Sequence, residues 1–348
     1  MRHLMPISSS HADTLLRITL FVLACLSLAS CIDEDEYDDT PDGNFEALWT
    51  ILDEHYCFFD YKNEQYGLDW DEVYTDYKKR ISSSMTSSQL QEVLEDMLSE
   101  LKDGHVNLSS SADFSRYWAW KEDYPSNVSD TLLRIYLGTD YKISAGMEYT
   151  VLDDNIGYIR YESFSDAIGN GNLDDVMAYL MTCNGLIIDI RGNGGGTLTY
   201  AERLASRFFN EDTTVGYMRH KTGKGHNDFS DYEEQEMETS SGVRWQKGVC
   251  VLTNREVYSA ANEFVKYMKC AGATIVGDKT GGGAGLPFTS QLPNGWAVRF
   301  SACPMYDKDK VCTEHGIDPD YEVSLTDEDF AKGIDTIIEY ARELLNAR

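Results

Sequence analysis

The chain has 348 residues, enough for a large core and more than one layer or domain. Apolar residues make up 42% and charged residues 26%, the balance of a soluble globular protein. The 59 Asp and Glu against 30 Lys and Arg leave a formal charge of −29, which excludes nucleic acid and anionic membrane as electrostatic partners, since both are bound through basic patches.

At the N-terminus Arg17 precedes the apolar run Ile18 to Leu28, too short to span a bilayer, and Leu28-Ala29-Ser30-Cys31 closes it with small residues and a cysteine. This resembles a bacterial lipoprotein signal with its lipobox. The resemblance implies that residues 1–30 are removed and that Cys31 becomes the lipidated first residue. It also implies that the protein is anchored in the cell envelope, at the outer membrane and facing either the periplasm or the surface. Residues 31–42, with Asp33 to Asp39 almost wholly acidic, read as a solvated tether. Removing Arg2, Arg17 and Asp13 with the leader makes the mature chain slightly more acidic still.

Three helices are expected next. Asn44 to Cys57 puts Phe45, Leu48, Leu52 and His55 or Tyr56 on one face, and Trp70 to Ile81 stacks Trp70, Val73, Tyr74, Tyr77 and Ile81. The third carries Leu90, Val93, Leu94, Met97, Leu98 and Leu101 at helical spacing behind a Thr86/Gln89 capping box, and stops at Gly104. Together they predict an N-terminal helical subdomain over 43–107, with a catalytic domain over 108–348. Between Ser109 and Glu148 short strands such as Leu132 to Leu137 are expected. The segment has no room for an inserted peptide-binding domain of about 80 to 100 residues.

Strands at Ile156 to Tyr161, Leu186 to Ile190, Val249 to Leu252 and Thr274 to Val276 then alternate with helices near Leu173 to Met181, Leu198 to Phe209 and Ser259 to Ala271. That rhythm predicts an α/β fold with right-handed crossovers. A hairpin follows, Thr289 to Gln291 and Trp296 to Ala302 around Pro293-Asn294-Gly295, and the last helix is expected to start at a capping box spanning Thr326 to Asp329. Six cysteines follow Cys31, with no CxxC and no Cys/His cluster at zinc spacing. No metal or other cofactor is expected, nor a bridge between Cys303 and Cys312.

Ser259 sits on a strand-to-helix turn, where a hydroxyl lies near the positive end of the helix. Taken alone, a serine there is most simply an N-cap. His105, in LKDGHVNL, is by itself more simply a structural or surface histidine after a helix stop. VLTNREVYSAANEF with VGDKTGGG (Val251 to Phe264 and Val276 to Gly283), IIDIRGNGGG (Ile187 to Gly196) and HGIDPD (His315 to Asp320) occur in the order seen in the C-terminal processing, or tail-specific, serine peptidases. The chain resembles that family, and specifically its tricorn-core-like branch, because the lysine that many members carry near the position of Gly283 is missing.

The resemblance implies a crotonase/ClpP-like ββα catalytic core, with Ser259 as nucleophile and His105 as base. It implies an oxyanion hole from the N–H groups of Gly195 and Ala260. The orienting carboxylate is Glu314, with Asp318 and Asp103 as alternatives; His315 and Lys279 are rival bases. The expected activity is that of an exported serine endopeptidase acting through an acyl-enzyme, with peptides or unfolded proteins as its only partners and the lipid anchor as its only membrane contact. The alternative is a catalytically silent peptide-binding or ligand-binding lipoprotein, because the family lysine is gone and Asn262 stands where a glutamate is common.

Overall fold

A computed structural model describes residues 37–347. By its internal contacts the chain divides into Met1–Asp38 and Asp39–Arg348, and the second unit carries the fold described below. Cys31 and the leader lie outside the described residues.

Four helices open the unit: α1 (Pro41–His55), α2 (Phe59–Tyr66), α3 (Trp70–Lys78) and α4 (Ser87–Ser99). Thr40 caps α1, its hydroxyl accepting from Gly43 N–H at 3.0 Å, and Pro41 supplies a preset first turn. The reciprocal Thr86/Gln89 box starts α4, whose Leu90, Val93, Leu94, Met97 and Leu98 are buried as the spacing predicts. The expected second helix ends at Lys78 rather than Ile81. Helix α2 has no counterpart in the sequence reading, because it buries only Phe59 and Lys62 and so carries no apolar period.

Two sheets follow. The larger has the order β12-β9-β8-β5-β4-β3-β2, with β4 (Ile156–Tyr161), β5 (Gly185–Asp189), β8 (Gly248–Thr253), β9 (Thr274–Gly277) and β12 (Tyr321–Glu322) parallel. Strands β3 (Met147–Val151) and β2 (Lys142–Ser144) add antiparallel at one edge. The central strands are unbroken apolar runs because both faces are covered. Leu186, Ile188, Val249 and Val251 pack with α7 (Asn170–Leu180), α8 (Leu198–Ala205) and α9 (Ala260–Cys270), while Ile187, Cys250 and Leu252 face α11 (Thr336–Asn346). The smaller sheet, β1-β11-β6-β7, is built on β11 (Ala297–Tyr306). On this strand β1 (Asn107–Ser109) and β6 (Thr213–Met218) pair, and β10 (Gly285–Gln291) joins as a hairpin arm; β7 (Glu233–Met237) pairs with β6.

Two expectations fail. The segment Leu132 to Leu137 is not a strand but most of helix α6 (Asp130–Leu137), which packs Leu133 and Leu137 beside α11 and ends at Gly138 with φ of 69°. Thr326 does cap a helix, but only the short α10 (Asp327–Ala331). Gly333, at φ of 75°, turns the chain, and Asp335 caps the true last helix by accepting from Ile337 and Ile338 N–H. Helix α5 (Ala119–Glu122) is a single turn in the long connection after β1.

Candidate active site

The loops after β5 and β8 leave adjacent parallel strands at their C-terminal ends, the usual position of a ligand site in such sheets. Backbone bonds tie them together: Tyr258 N–H donates to Asn193 O at 3.1 Å, Gly281 N–H to Val257 O at 2.8 Å and Ser259 N–H to Gly282 O at 2.8 Å. Ser259 is held at φ 57° and ψ −124°, a conformation rare for a residue with a side chain and costing on the order of 1–3 kcal/mol. Its hydroxyl makes no cap bond to α9. Instead Ser259 Oγ lies 2.9 Å from His105 Nε2, across a separation of 154 residues.

His105 is 3% exposed and sits just before β1, so it reaches the serine from the smaller sheet. Burial foremost, with the charges of Arg299 and Lys62 adding and Asp103 opposing, lowers its pKa to about 4. The ring is therefore neutral near pH 7. To accept from Ser259, Nε2 must be unprotonated, which places the ring proton on Nδ1, and Nδ1 is buried without a hydrogen-bond partner. The ring also packs 4.9 Å from the ring of Tyr258, on which Trp120 stacks at 4.2 Å.

Glu314 does not bond to His105. Its Oε1 is 3.1 Å from Lys62 Nζ and its Oε2 accepts Ala284 N–H at 2.9 Å. The physical reason is Lys62: its unexposed Nζ, projecting from α2, takes one carboxyl oxygen, and the Ala284 N–H takes the other. Burial and the nearby Asp103 push Glu314 up to about 8, with Lys62 and the Ala284 N–H pulling it only part of the way back. Lys62 was missed by sequence reasoning; it lies 252 positions from its partner and bears no local signal.

Asp103 also stays off the ring. Its Oδ1 accepts the backbone N–H of His105 at 2.7 Å and Tyr258 OH at 3.3 Å, and its Oδ2 accepts Tyr56 OH at 3.1 Å and Ser301 OH at 2.8 Å. Burial raises its pKa, yet Lys62, His105 and these donors hold it below the ordinary carboxylate range. Asp318, 79% exposed, pairs with Lys279 at 3.2 Å. His315 stacks on Tyr61. Asn262 is buried in a clasp, accepting from Thr280 OH at 2.6 Å and donating to Thr313 Oγ1 at 3.3 Å.

Of the two expected oxyanion donors, Ala260 N–H heads α9 and has no acceptor among the described residues. Gly195 N–H donates to Asn193 Oδ1 at 3.0 Å. Gly195 lies hard against the nucleophile all the same: at φ +98°, a Cβ there would stand 2.6 Å from Tyr258 O, 2.8 Å from Ser259 Cβ and 2.9 Å from Ala260 N. Among the described residues no group of three or more His, Cys, Asp or Glu could hold a metal ion.

The model of peptidase family S41 matches residues 155–323. A solved structure from Parabacteroides merdae, described as a candidate peptidase, is 52% identical; the match covers 88% of this chain and 97% of that one, with a TM-score of 0.84. The chain belongs to peptidase family S41. It is a serine-type peptidase, with that family's α/β core behind an N-terminal helical region. The model of the tricorn protease C1 domain matches residues 37–99, the helical region that supplies Lys62. Mature CPAF, at 14% identity and a TM-score of 0.66 over 88% of this chain and 96% of its own, shares the fold. So does tricorn protease, at 14% identity and 0.56, over 89% of this chain and 37% of its own. In the S41 peptidase described here, His105 falls between the two matched stretches, which carry Lys62 on one side and Ser259 on the other.

Proposed function

We propose that this S41 peptidase is an exported serine endopeptidase that cleaves peptides or unfolded proteins through an acyl-enzyme. The observation that carries the reading is the 2.9 Å contact between Ser259 Oγ and the buried, neutral His105 Nε2. Ser259 Oγ attacks the scissile carbonyl carbon while His105 takes its proton, and the tetrahedral oxyanion accepts from Ala260 N–H at the positive end of α9. Collapse expels the amine, which leaves with the proton from His105, and water then hydrolyses the ester by the same steps in reverse roles. Gly195 lets the glycine loop approach the serine closely; it serves as the second donor when its N–H exchanges Asn193 Oδ1 for the oxyanion. Glu314 acts at a distance from the ring, by fixing the Ala284 end of the adjoining loop.

A fluorophosphonate probe tests this. Mass spectrometry should find one adduct, on Ser259, lost in Ser259→Ala and strongly slowed in His105→Ala. An unlabelled wild type that still binds peptides would instead support the silent reading suggested by Asn262 and the absent lysine. Export and anchoring rest on Leu28 to Cys31. A Cys31→Ala variant should accumulate as unlipidated precursor, and unchanged lipidation would sink the anchor.

A further inference from the structure

Arg299 lies on β11 opposite Asn107 of β1 and opposite Thr289 of β10. It is only partly exposed, and its side chain makes no hydrogen bond, ion pair or cation–π contact among the described residues. In a chain with 59 acidic and 30 basic residues an arginine has an excess of possible partners, so one left single beside the site stands out. Partly buried guanidinium groups are ordinarily matched to a carboxylate, for which their planar fork is shaped.

Its direction follows from the strand. Successive side chains point to opposite faces, so Arg299 shares a face with Ser301, and the register from Arg299 to Ser301 is unbroken. Ser301 donates to Asp103, which holds the His105 backbone. Arg299 therefore points to the same side as the catalytic base, and its charge is felt there, adding to burial in keeping His105 unprotonated. The cation weakens the base when the site is empty. A bound anion would remove that handicap at the moment substrate arrives.

We propose that Arg299 determines specificity in this site by binding the carboxylate of an acidic side chain of the peptide substrate. The proposal rests on the peptidase reading above and names its substrate class. Its chemistry is a bidentate guanidinium–carboxylate pair made close to the scissile bond, which supports both binding and proton abstraction.

The test uses fluorogenic peptides in matched sets: Glu or Gln scanned through the positions flanking the cut, each ending as the free acid or the amide. Wild type should cleave at least one acidic member with kcat/KM roughly tenfold or more above its neutral counterpart, as expected for a charge-assisted bond. A response to the free acid over the amide, with none to Glu over Gln, places the contact at the chain terminus and overturns the proposal. In Arg299→Met the ratio should fall to near one, and in Arg299→Glu it should invert in favour of peptides with lysine at that position. A wild type without preference, or Arg299→Met keeping it, overturns the proposal. If Arg299→Met fails to fold, Arg299→Lys serves: it keeps the charge but loses the fork, so a ratio equal to wild type counts against a bidentate pair and a reduced one supports it. If the wild type cleaves none of the peptides, the peptidase reading fails separately. Fluorescence anisotropy with Ser259→Ala, with and without Arg299→Met, then decides: roughly tenfold weaker binding of the acidic peptide in the double variant supports the role of Arg299, and equal binding overturns it.

Discussion

Two buried clusters of charge lie under the glycine loops and are put together differently. In the first, the Arg191 guanidinium is shared between Asp189 at the end of β5, at 2.6 Å, and Asp335 at the cap of α11, at 3.0 Å. Tyr158 OH adds a further bond to Asp189 at 2.8 Å. Arg191 and Arg160 hold Asp189 below the usual carboxylate range in spite of its burial. In the second, His105 Nδ1 has no partner, Glu314 is raised to about 8 and the ring is lowered to about 4. The ion pairs of the first cluster fix the strand, the loop base and the last helix in place. In the second, the displaced group is the base itself, an imidazole kept neutral by burial and so able to take the serine proton.

The largest effects should fall on the second cluster and touch activity alone. Ser259→Ala and His105→Ala should each lower kcat/KM on the order of 10⁴-fold or more, and the double variant little further, since the two act as a unit. Calorimetric melting should barely move. The rate should rise with pH through about 4 as the imidazole loses its proton and be flat near neutrality, below the inflection of ~6.5 that an unperturbed histidine gives. The same depression has a stability side. The unfolded ring takes up a proton below about 6.5 while the folded one resists down to about 4, so stability is lost as pH falls through that window.

The first cluster should show the reverse. Arg191→Met leaves Asp189 and Asp335 buried without their shared cation, and urea unfolding should register a loss of about 3–5 kcal/mol. If stability were unchanged while activity vanished, the division between a structural and a reactive cluster would be wrong.

Glu314→Gln should be milder and sharpens the contrast. A folded pKa near 8 against an unfolded value of ~4.3 means that stability is present in full below the lower figure and is lost as pH rises through the upper one. Gln copies the neutral acid, so the variant should lose this decline between the two values. Activity at neutral pH should fall about tenfold or less, because nucleophile and base remain paired. A collapse as deep as that of His105→Ala would place the carboxyl in direct proton transfer.

The first cluster's strands were legible in the sequence because burial on both faces makes continuous runs such as Leu186 to Ile188 and Val249 to Leu252. The serine turn and the glycine loop were legible through motifs that keep their order. Other features were not. The short run Leu132 to Leu137, apolar except for Arg134, fits a strand or a helix equally well, and only packing beside α11 decides for the helix. The partner of Glu314 and the placement of Arg299 are set by the approach of α2 and by β11 register, which no local pattern encodes. The Nδ1 vacancy of His105 is likewise a property of the assembled site.

The smallest effect is expected from Lys279→Ala. Sequence position made this lysine a rival base for Ser259, since it stands one residue before Thr280 in the loop that the serine N–H grips. The side chain is 30% exposed and its ammonium faces the 79% exposed Asp318, so the pair is largely solvated. Such pairs contribute ~0–1 kcal/mol and are screened by salt. Lys279→Ala should therefore melt within a degree or two of wild type and keep peptide hydrolysis within about twofold, at low and high ionic strength alike. A dead Lys279→Ala beside an active His105→Ala would transfer the base from the buried cluster to the solvated loop, and would end the argument that a base kept neutral by burial is what makes this site reactive.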